Sequence, residues 1–264
     1  MFIRHADPDY INDNLTPRGH KEADALAAYL KDYNIDHFYV SPLGRAQATC
    51  NHVLALKNGN TDVRARTFTT IEKNWLEEFP AEVDMKNAPD TVHAAFGDNP
   101  EENGSLYPRI VWDILPSYYT THPELMDRTA WHDSEIAHYS NVNEKWDDVT
   151  SRFDELLAEH GYVRDGLHYN AVRPNRDVIA CFCHLGVGSV LASHLMNVSP
   201  FVLWHSACML PSSITEFVTE ERRESIAQFR ALRIGDISHL SIAGLEPSFA
   251  ARFCETYDNP NERH

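Results

Sequence analysis

Apolar positions recur at helical spacing in LTPRGHKEADALAAYL, where Ala23, Leu26, Ala27 and Leu30 fall on one face. Thr16 offers an N-cap hydroxyl and Pro17 suits the first helical position, so a helix is expected over about 17–31. Met1-Phe2-Ile3 before it is a short apolar lead-in. After it, IDHFYV is a β-branched and aromatic run that ends at Ser41-Pro42. LGRAQATCNHVLAL then continues as a second helix that stops near Asn58-Gly59. The opening therefore reads strand, helix, strand, helix.

VRARTFTTI has the composition of a third strand, and WLEEFP follows it. Residues from about 80 to 140 are rich in Pro, Asn, Asp and aromatics, and are too long for an ordinary connection. They are expected to form an inserted cap whose Trp112, Tyr118, Tyr119 and Trp131 either line a substrate entrance or make the insertion's own core. VNEKWDDVTSRFDELLAEHG places Val142, Trp146, Val149, Phe153, Leu156 and Leu157 on one helix face, stopped at Gly161. VIACFC reads as a buried strand and GVGSVLASHLM as a helix. SSITEFVTE and SIAQFRALRI, split by polar ERRE, suggest an antiparallel hairpin, with a last helix at about 247–257. Strands alternating with helices predict a three-layer α/β/α sandwich, with a mostly parallel sheet and an antiparallel edge, in one domain over residues 1–264.

The balance of 39 acids against 23 bases gives a net charge of −16, which argues against nucleic acid or an anionic membrane as partner. An anionic substrate would need a local basic pocket. Five cysteines without a CxxC pair fit a reducing cytosol, with Cys181 and Cys183 as strand core. The absence of a basic segment leading into an apolar one fits the same cytoplasmic placement. VIACFCHLGVGSVLASHLM is long enough for a membrane span, but its histidines, serines and glycines favour strand, turn and helix. Nothing in the pattern reports the oligomeric state.

In open α/β sheets, ligands bind where strand-to-helix turns converge at the carboxyl ends of the strands. Three such turns carry Arg4-His5, Ser41-Pro42-Leu43-Gly44-Arg45 and His184-Leu185-Gly186. Two arginines and two histidines at one edge of an acidic protein suit a phosphate, since guanidinium forks bind its oxygens and helix N-termini add partial positive charge. A neutral imidazole among them could attack phosphorus. Each residue also has a structural reading, as a strand-end hydrogen bonder or a solvated ion-pair partner.

Together Arg4-His5-Ala6, LTPRGHKEADALA, VSPLGRAQAT and FCHLG resemble the histidine phosphatase superfamily, the phosphoglycerate-mutase-like fold. The resemblance covers residues 1 to 57 and 177 to 196, with weaker support from WLEEF and RIGDISHL. It implies that His5 accepts the phosphoryl group, that Arg4, Arg45 and His184 form the phosphate pocket, and that Glu78, or else Glu77, is the acid/base. Tyr10, Ser41 and Leu185 are then expected to contact substrate. The implied activity is metal-independent hydrolysis of a small phosphate ester without a cofactor, with a phosphoglycerate mutase or related phosphotransferase as alternative. Arg-His-Ala replaces the family's usual Arg-His-Gly, and the mutases' Glu-Ser then Trp-Asn continuation is missing after Ala6.

Two other readings stay open on the sequence. His5, Asp7 and Asp9 alternate as metal ligands on a strand would, although Pro8 interrupts it. A catalytically silent module that recognises a phosphorylated ligand would keep the same pocket.

Overall fold

The computed structural model describes residues 1–59, 67–97 and 109–248, together with the backbone of two short strands, Glu101–Glu102 and Ser105–Leu106. Near the centre of an eight-stranded sheet lies β1 (Phe2–Arg4). The chain continues through α1 (Pro17–Leu30), β2 (His37–Val40), α2 (Gly44–Asn58), β3 (Thr70–Glu72) and α3 (Val142–Glu159). It goes on through β4 (Tyr162–Asp165), β5 (His168–Ala171), β6 (Ile179–Cys183), α4 (Leu185–Met196), α5 (Pro200–Ser206), β7 (Ile214–Arg223) and β8 (Ile226–Asp236).

The order across the sheet is β4-β5-β8-β7-β1-β6-β2-β3. β1, β6, β2 and β3 pair in parallel, while the β7/β8 hairpin and the β4/β5 hairpin extend the other side antiparallel. Only β7 and β5 run against the rest. The sheet is thus mostly parallel in direction, and its antiparallel side is wider than the sequence suggests because the β4/β5 hairpin joins it.

Side chains that alternate along the central strands divide the interior into two layers. Ile3, Phe38, Val40, Ala180 and Phe182 pack against Leu26, Leu30 and Val53 from α1 and α2. Phe2, Tyr39, Cys181 and Cys183 point the other way, against Phe153 and Leu157 of α3 and Val187 and Leu191 of α4. The result is the α/β/α sandwich the pattern implied. Burying Ile3, Phe38 or Phe182 contributes about 2 kcal/mol each, which is why such short strands hold their register.

Of the third strand expected over VRARTFTTI, residues 63–66 lie outside the described residues, and among the described ones Thr70–Glu72 pairs with β2. The helix expected at about 247–257 falls largely on residues that are not described, while a short helix at Ser238–Ile242 precedes it. Between β3 and α3, Glu82–Val83 pairs with Arg109–Ile110, and short helices form at Asp90–His93, Pro116–Thr121 and Glu135–His138. Val92, Val111, Leu125, Trp131 and Ile136 from this stretch bury into the same cluster as α3 and α4.

Candidate active site

Parallel pairing of β1, β6 and β2 aligns Arg4 with Cys183 and Val40 with Phe182, so His5, Ser41 and His184 emerge at one edge. His5 is 1% exposed and its N–H donates to Cys183 O at 3.0 Å. Its Nδ1 lies 2.8 Å from the Ala6 carbonyl oxygen. A carbonyl only accepts, so Nδ1 carries the proton and Nε2 keeps its lone pair. Burial first, then the charge of Arg4, holds His5 well below the ordinary histidine range. The rings of His5 and His184 are 5.1 Å apart.

Arg4 is fixed by its own donors: Nη1 to Met209 O at 2.7 Å and backbone N to Ser213 O at 3.1 Å. Tyr10 and Glu78 are near enough to oppose the effect of burial on its charge. Arg45 opens α2 and donates through Nη1 to Asp13 Oδ1 at 2.6 Å, while Gly44 N donates to Asp13 Oδ2 at 2.6 Å. A Cβ at Gly44 would come within 2.2 Å of the Asp13 carbonyl, so the approach requires glycine. Thr49 ties the turns together, accepting from Ala6 N at 3.0 Å and donating to Arg45 O at 2.8 Å.

His184 is buried, and its Nε2 meets Ser41 Oγ at 2.8 Å. Ser41 Oγ also accepts from Leu43 N at 3.2 Å. Burial, then Arg45 and Arg4, lowers the His184 pKa to about 2, so the ring is neutral at any working pH. Three nitrogens of this group, Arg4 Nε, Arg45 Nε and His184 Nδ1, are buried without a hydrogen-bond partner among the described residues. Buried polar nitrogens are seldom left so, and two guanidinium N–H groups with an imidazole nitrogen beside one histidine make a cradle that anionic oxygens fit.

Glu78 reaches this edge and Glu77 does not. Glu78 Oε1 accepts from its neighbour Phe79 N and from Gly186 N, both at 2.9 Å, at the start of α4. Glu77 is exposed. Gly186 is sandwiched: a Cβ there would lie 2.6 Å from the Trp112 ring and 2.7 Å from Glu78 Oε1.

The expected substrate contacts divide. The Tyr10 ring is exposed and lies under the Arg45 guanidinium, 5.3 Å from its centre. Leu185 lines a cavity of about 340 Å³ with Trp112, Asp113, Trp204, His205 and Cys208. Ser41 instead stands behind His184, fully buried, and holds that ring rather than presenting itself to a ligand. Of the insertion's aromatics, Trp112 borders the site, 5.8 Å from Trp204, whose Nε1 donates to Gly186 O at 3.1 Å. Trp131 and Tyr118 are core, stacked on His132 and His122 at 3.7 Å each.

Asp7 and Asp9 do not gather around His5. Asp7 accepts from Thr16 Oγ1 at 2.6 Å and from the Ser248 hydroxyl, and its N–H donates to Glu22 Oε2 at 2.9 Å. Asp9 accepts from Asn12 and Ile11 in its own turn. Sequence reasoning missed Asp13, Thr49 and Trp204. Asp13 and Thr49 act through backbone and carboxylate contacts that no local pattern announces.

Residues 1–97 match the histidine phosphatase superfamily (branch 1). Among solved structures, a phosphoserine phosphatase variant from Entamoeba histolytica in complex with phosphoserine is 15% identical with a TM-score of 0.53, covering 90% of this chain and 97% of its own. The native mycobacterial glucosyl-3-phosphoglycerate phosphatase is 16% identical with a TM-score of 0.51, covering 89% and 96%. Comparison with curated proteins gave no match. The chain thus has the histidine phosphatase fold, and over its first 97 residues it carries the sequence pattern of branch 1 of that superfamily.

Proposed function

We propose that the protein hydrolyses small phosphate monoesters through a phosphohistidine at His5, without a metal or cofactor. One observation carries this reading: two guanidinium N–H groups and one imidazole nitrogen, buried and without a partner among the described residues, lie beside an imidazole whose Nε2 keeps its lone pair. A phosphoryl group seated on Arg4 Nε, Arg45 Nε and His184 Nδ1 has its negative oxygens matched, and phosphorus stands before His5 Nε2.

In the first step Nε2 forms a bond to phosphorus, the P–O ester bond breaks, and Glu78, in its protonated form, gives its proton to the leaving oxygen. In the second, the Glu78 carboxylate takes a proton from water, whose oxygen attacks phosphorus as the N–P bond breaks and phosphate leaves. For His184 Nδ1 to donate, its Nε2 must accept, so the Ser41 hydroxyl gives its proton to that nitrogen. Residues 80–140 act as the cap within a single-domain chain, and the cavity beside Leu185, Trp112 and Trp204 takes the rest of the substrate. The relatives named above carry names of phosphatases for small esters, which favours substrates of that size.

A screen of phosphorylated metabolites on wild type and His5→Ala, each before and after EDTA dialysis, tests the reading. Release of inorganic phosphate should survive EDTA and fall at least about 1,000-fold in His5→Ala. Full turnover by His5→Ala would reject it. Isomerisation of 3-phosphoglycerate with bisphosphoglycerate, and no phosphate release, would favour phosphoryl transfer between metabolites.

A further inference from the structure

At the amino ends of the strands, on the sheet edge away from His5, two imidazoles and a carboxylate converge. They belong to His37, the first residue of β2, His160, which caps the carboxyl end of α3, and Asp177, in the loop before β6. One donor atom from each lies within 4.8 Å of the others. Asp177 Oδ2 is 3.6 Å from His160 Nδ1 and 4.0 Å from His37 Nε2, and the two rings are 4.6 Å apart.

These separations exceed hydrogen-bond length. They come close to the spacing of about 3.3 Å that a tetrahedral ion imposes on ligands bound at roughly 2.0–2.1 Å.

The surroundings hold the cluster in a ligating form. Tyr39 OH meets His160 Nε2 at 3.0 Å, which leaves Nδ1 to face Asp177. An outer partner of this kind orients a ligand imidazole. Asn175 joins the two segments, donating through Nδ2 to His160 O at 2.6 Å and accepting at Oδ1 from Asp177 N at 3.0 Å. The backbone of Asp36 and His37 donates to Val178 O at 2.8 and 3.2 Å, so the strand start and the loop are locked together. His160 is buried, so its ring is held in place by the packing around it.

We propose that His37 Nε2, His160 Nδ1 and Asp177 Oδ2 bind a divalent transition ion of the zinc class, with solvent completing the coordination. The site is separate from the phosphate cradle, at the opposite ends of the same strands, and joins β2, α3 and the entry to β6. Two imidazoles with one carboxylate suit zinc, cobalt or nickel rather than calcium or magnesium.

Cobalt titration of the metal-free chain provides the test, because tetrahedral cobalt absorbs in the visible whether or not the enzyme turns over. Wild type and His5→Ala should each bind one equivalent with those bands, and zinc should displace it. His37→Ala and Asp177→Asn should lose affinity by at least about 100-fold, and Tyr39→Phe by about 10-fold. Far-UV circular dichroism checks that each variant is folded. Absence of a tetrahedral spectrum in wild type, or identical titrations in wild type and folded His37→Ala, would overturn the site. Neither result bears on phosphate release, which is measured after EDTA dialysis.

Discussion

Ser41 Oγ stands 2.8 Å from His184 Nε2, and both side chains are buried. The two come from the carboxyl ends of neighbouring parallel strands, so the sheet itself sets their distance. A neutral His184 can present a proton to phosphate through Nδ1 only if Nε2 accepts one from behind. Ser41→Ala removes that donor, and we expect kcat to fall about 10-fold, equivalent to roughly 1.4 kcal/mol, with a smaller change in KM. Steady-state kinetics beside a urea unfolding curve separates this from loss of fold. Unchanged kcat would mean that the ring's tautomer is set otherwise.

Glu78 and Glu77 are neighbours in sequence with different surroundings. Because Glu78 faces the pocket and Glu77 faces solvent, Glu78→Gln should lower turnover of an alkyl phosphate by about 100-fold or more. Turnover of p-nitrophenyl phosphate, whose leaving group needs no proton, should suffer much less. Glu77→Gln should be within about twofold of wild type. Equal losses with both esters would remove Glu78 from the acid role.

Asp13 holds Arg45 through Nη1 and also accepts from Gly44 N. Asp13→Ala frees the guanidinium to swing toward water. The expected result is a KM for phosphate esters, and an inhibition constant for inorganic phosphate, raised about 10-fold, with kcat changed less. Inhibition by phosphate measures this directly.

Acid should weaken the fold through its buried histidines. His184 is lowered to about 2, His205 to about 4 and His239 to about 4, each chiefly by burial, and His5 is lowered well below its ordinary value. Unfolded, all four take protons near pH 6.5, so the stability they contribute is complete above that pH and is lost as pH falls toward the folded values. Each accounts for up to about 1.4 kcal/mol per pH unit. Burial raises Glu22 to about 7, which acts in the opposite sense: its contribution is full below about pH 4.5 and fades as pH rises to 7. Four histidines outweigh one glutamate, so the urea midpoint should drop between pH 7 and pH 5. For the same reason kcat/KM should show no histidine limb near pH 6.5 from His5.

Much of the fold was legible because α1, α2 and α3 pair helical spacing with a cap, proline or glycine, while β2, β6 and the β7/β8 hairpin are β-branched and aromatic runs bounded by polar or turn residues. Among the described residues, the start of β3 at Thr70 carried no signal. Thr70, Ile71 and Glu72 are all exposed on an edge strand, so burial does not set them apart from Thr67, Phe68 and Thr69 before them. The β4/β5 hairpin carries YVRD and HYNA, short and polar, and its turn at Gly166 has a φ of 59°. Without alternation to mark it, it blended into the loops.

In the site, Arg4, His5, Arg45 and His184 could be read from strand-end motifs. Ser41 could be named but not given its place behind His184. Asp13 could not be found, because its link to Arg45 spans 32 positions and depends on a backbone turned to φ 45°.

The proposed mechanism requires a covalent phosphate on His5 Nε2. Rapid acid-free quenching of enzyme turning over a phosphorus-32-labelled ester, followed by peptide mapping, tests it most directly. The expected result is an acid-labile, base-stable label on the peptide containing His5, absent from His5→Ala and longer-lived in Glu78→Gln, where water is no longer activated. Steady turnover without any labelled enzyme, or a label that persists in His5→Ala, would contradict it.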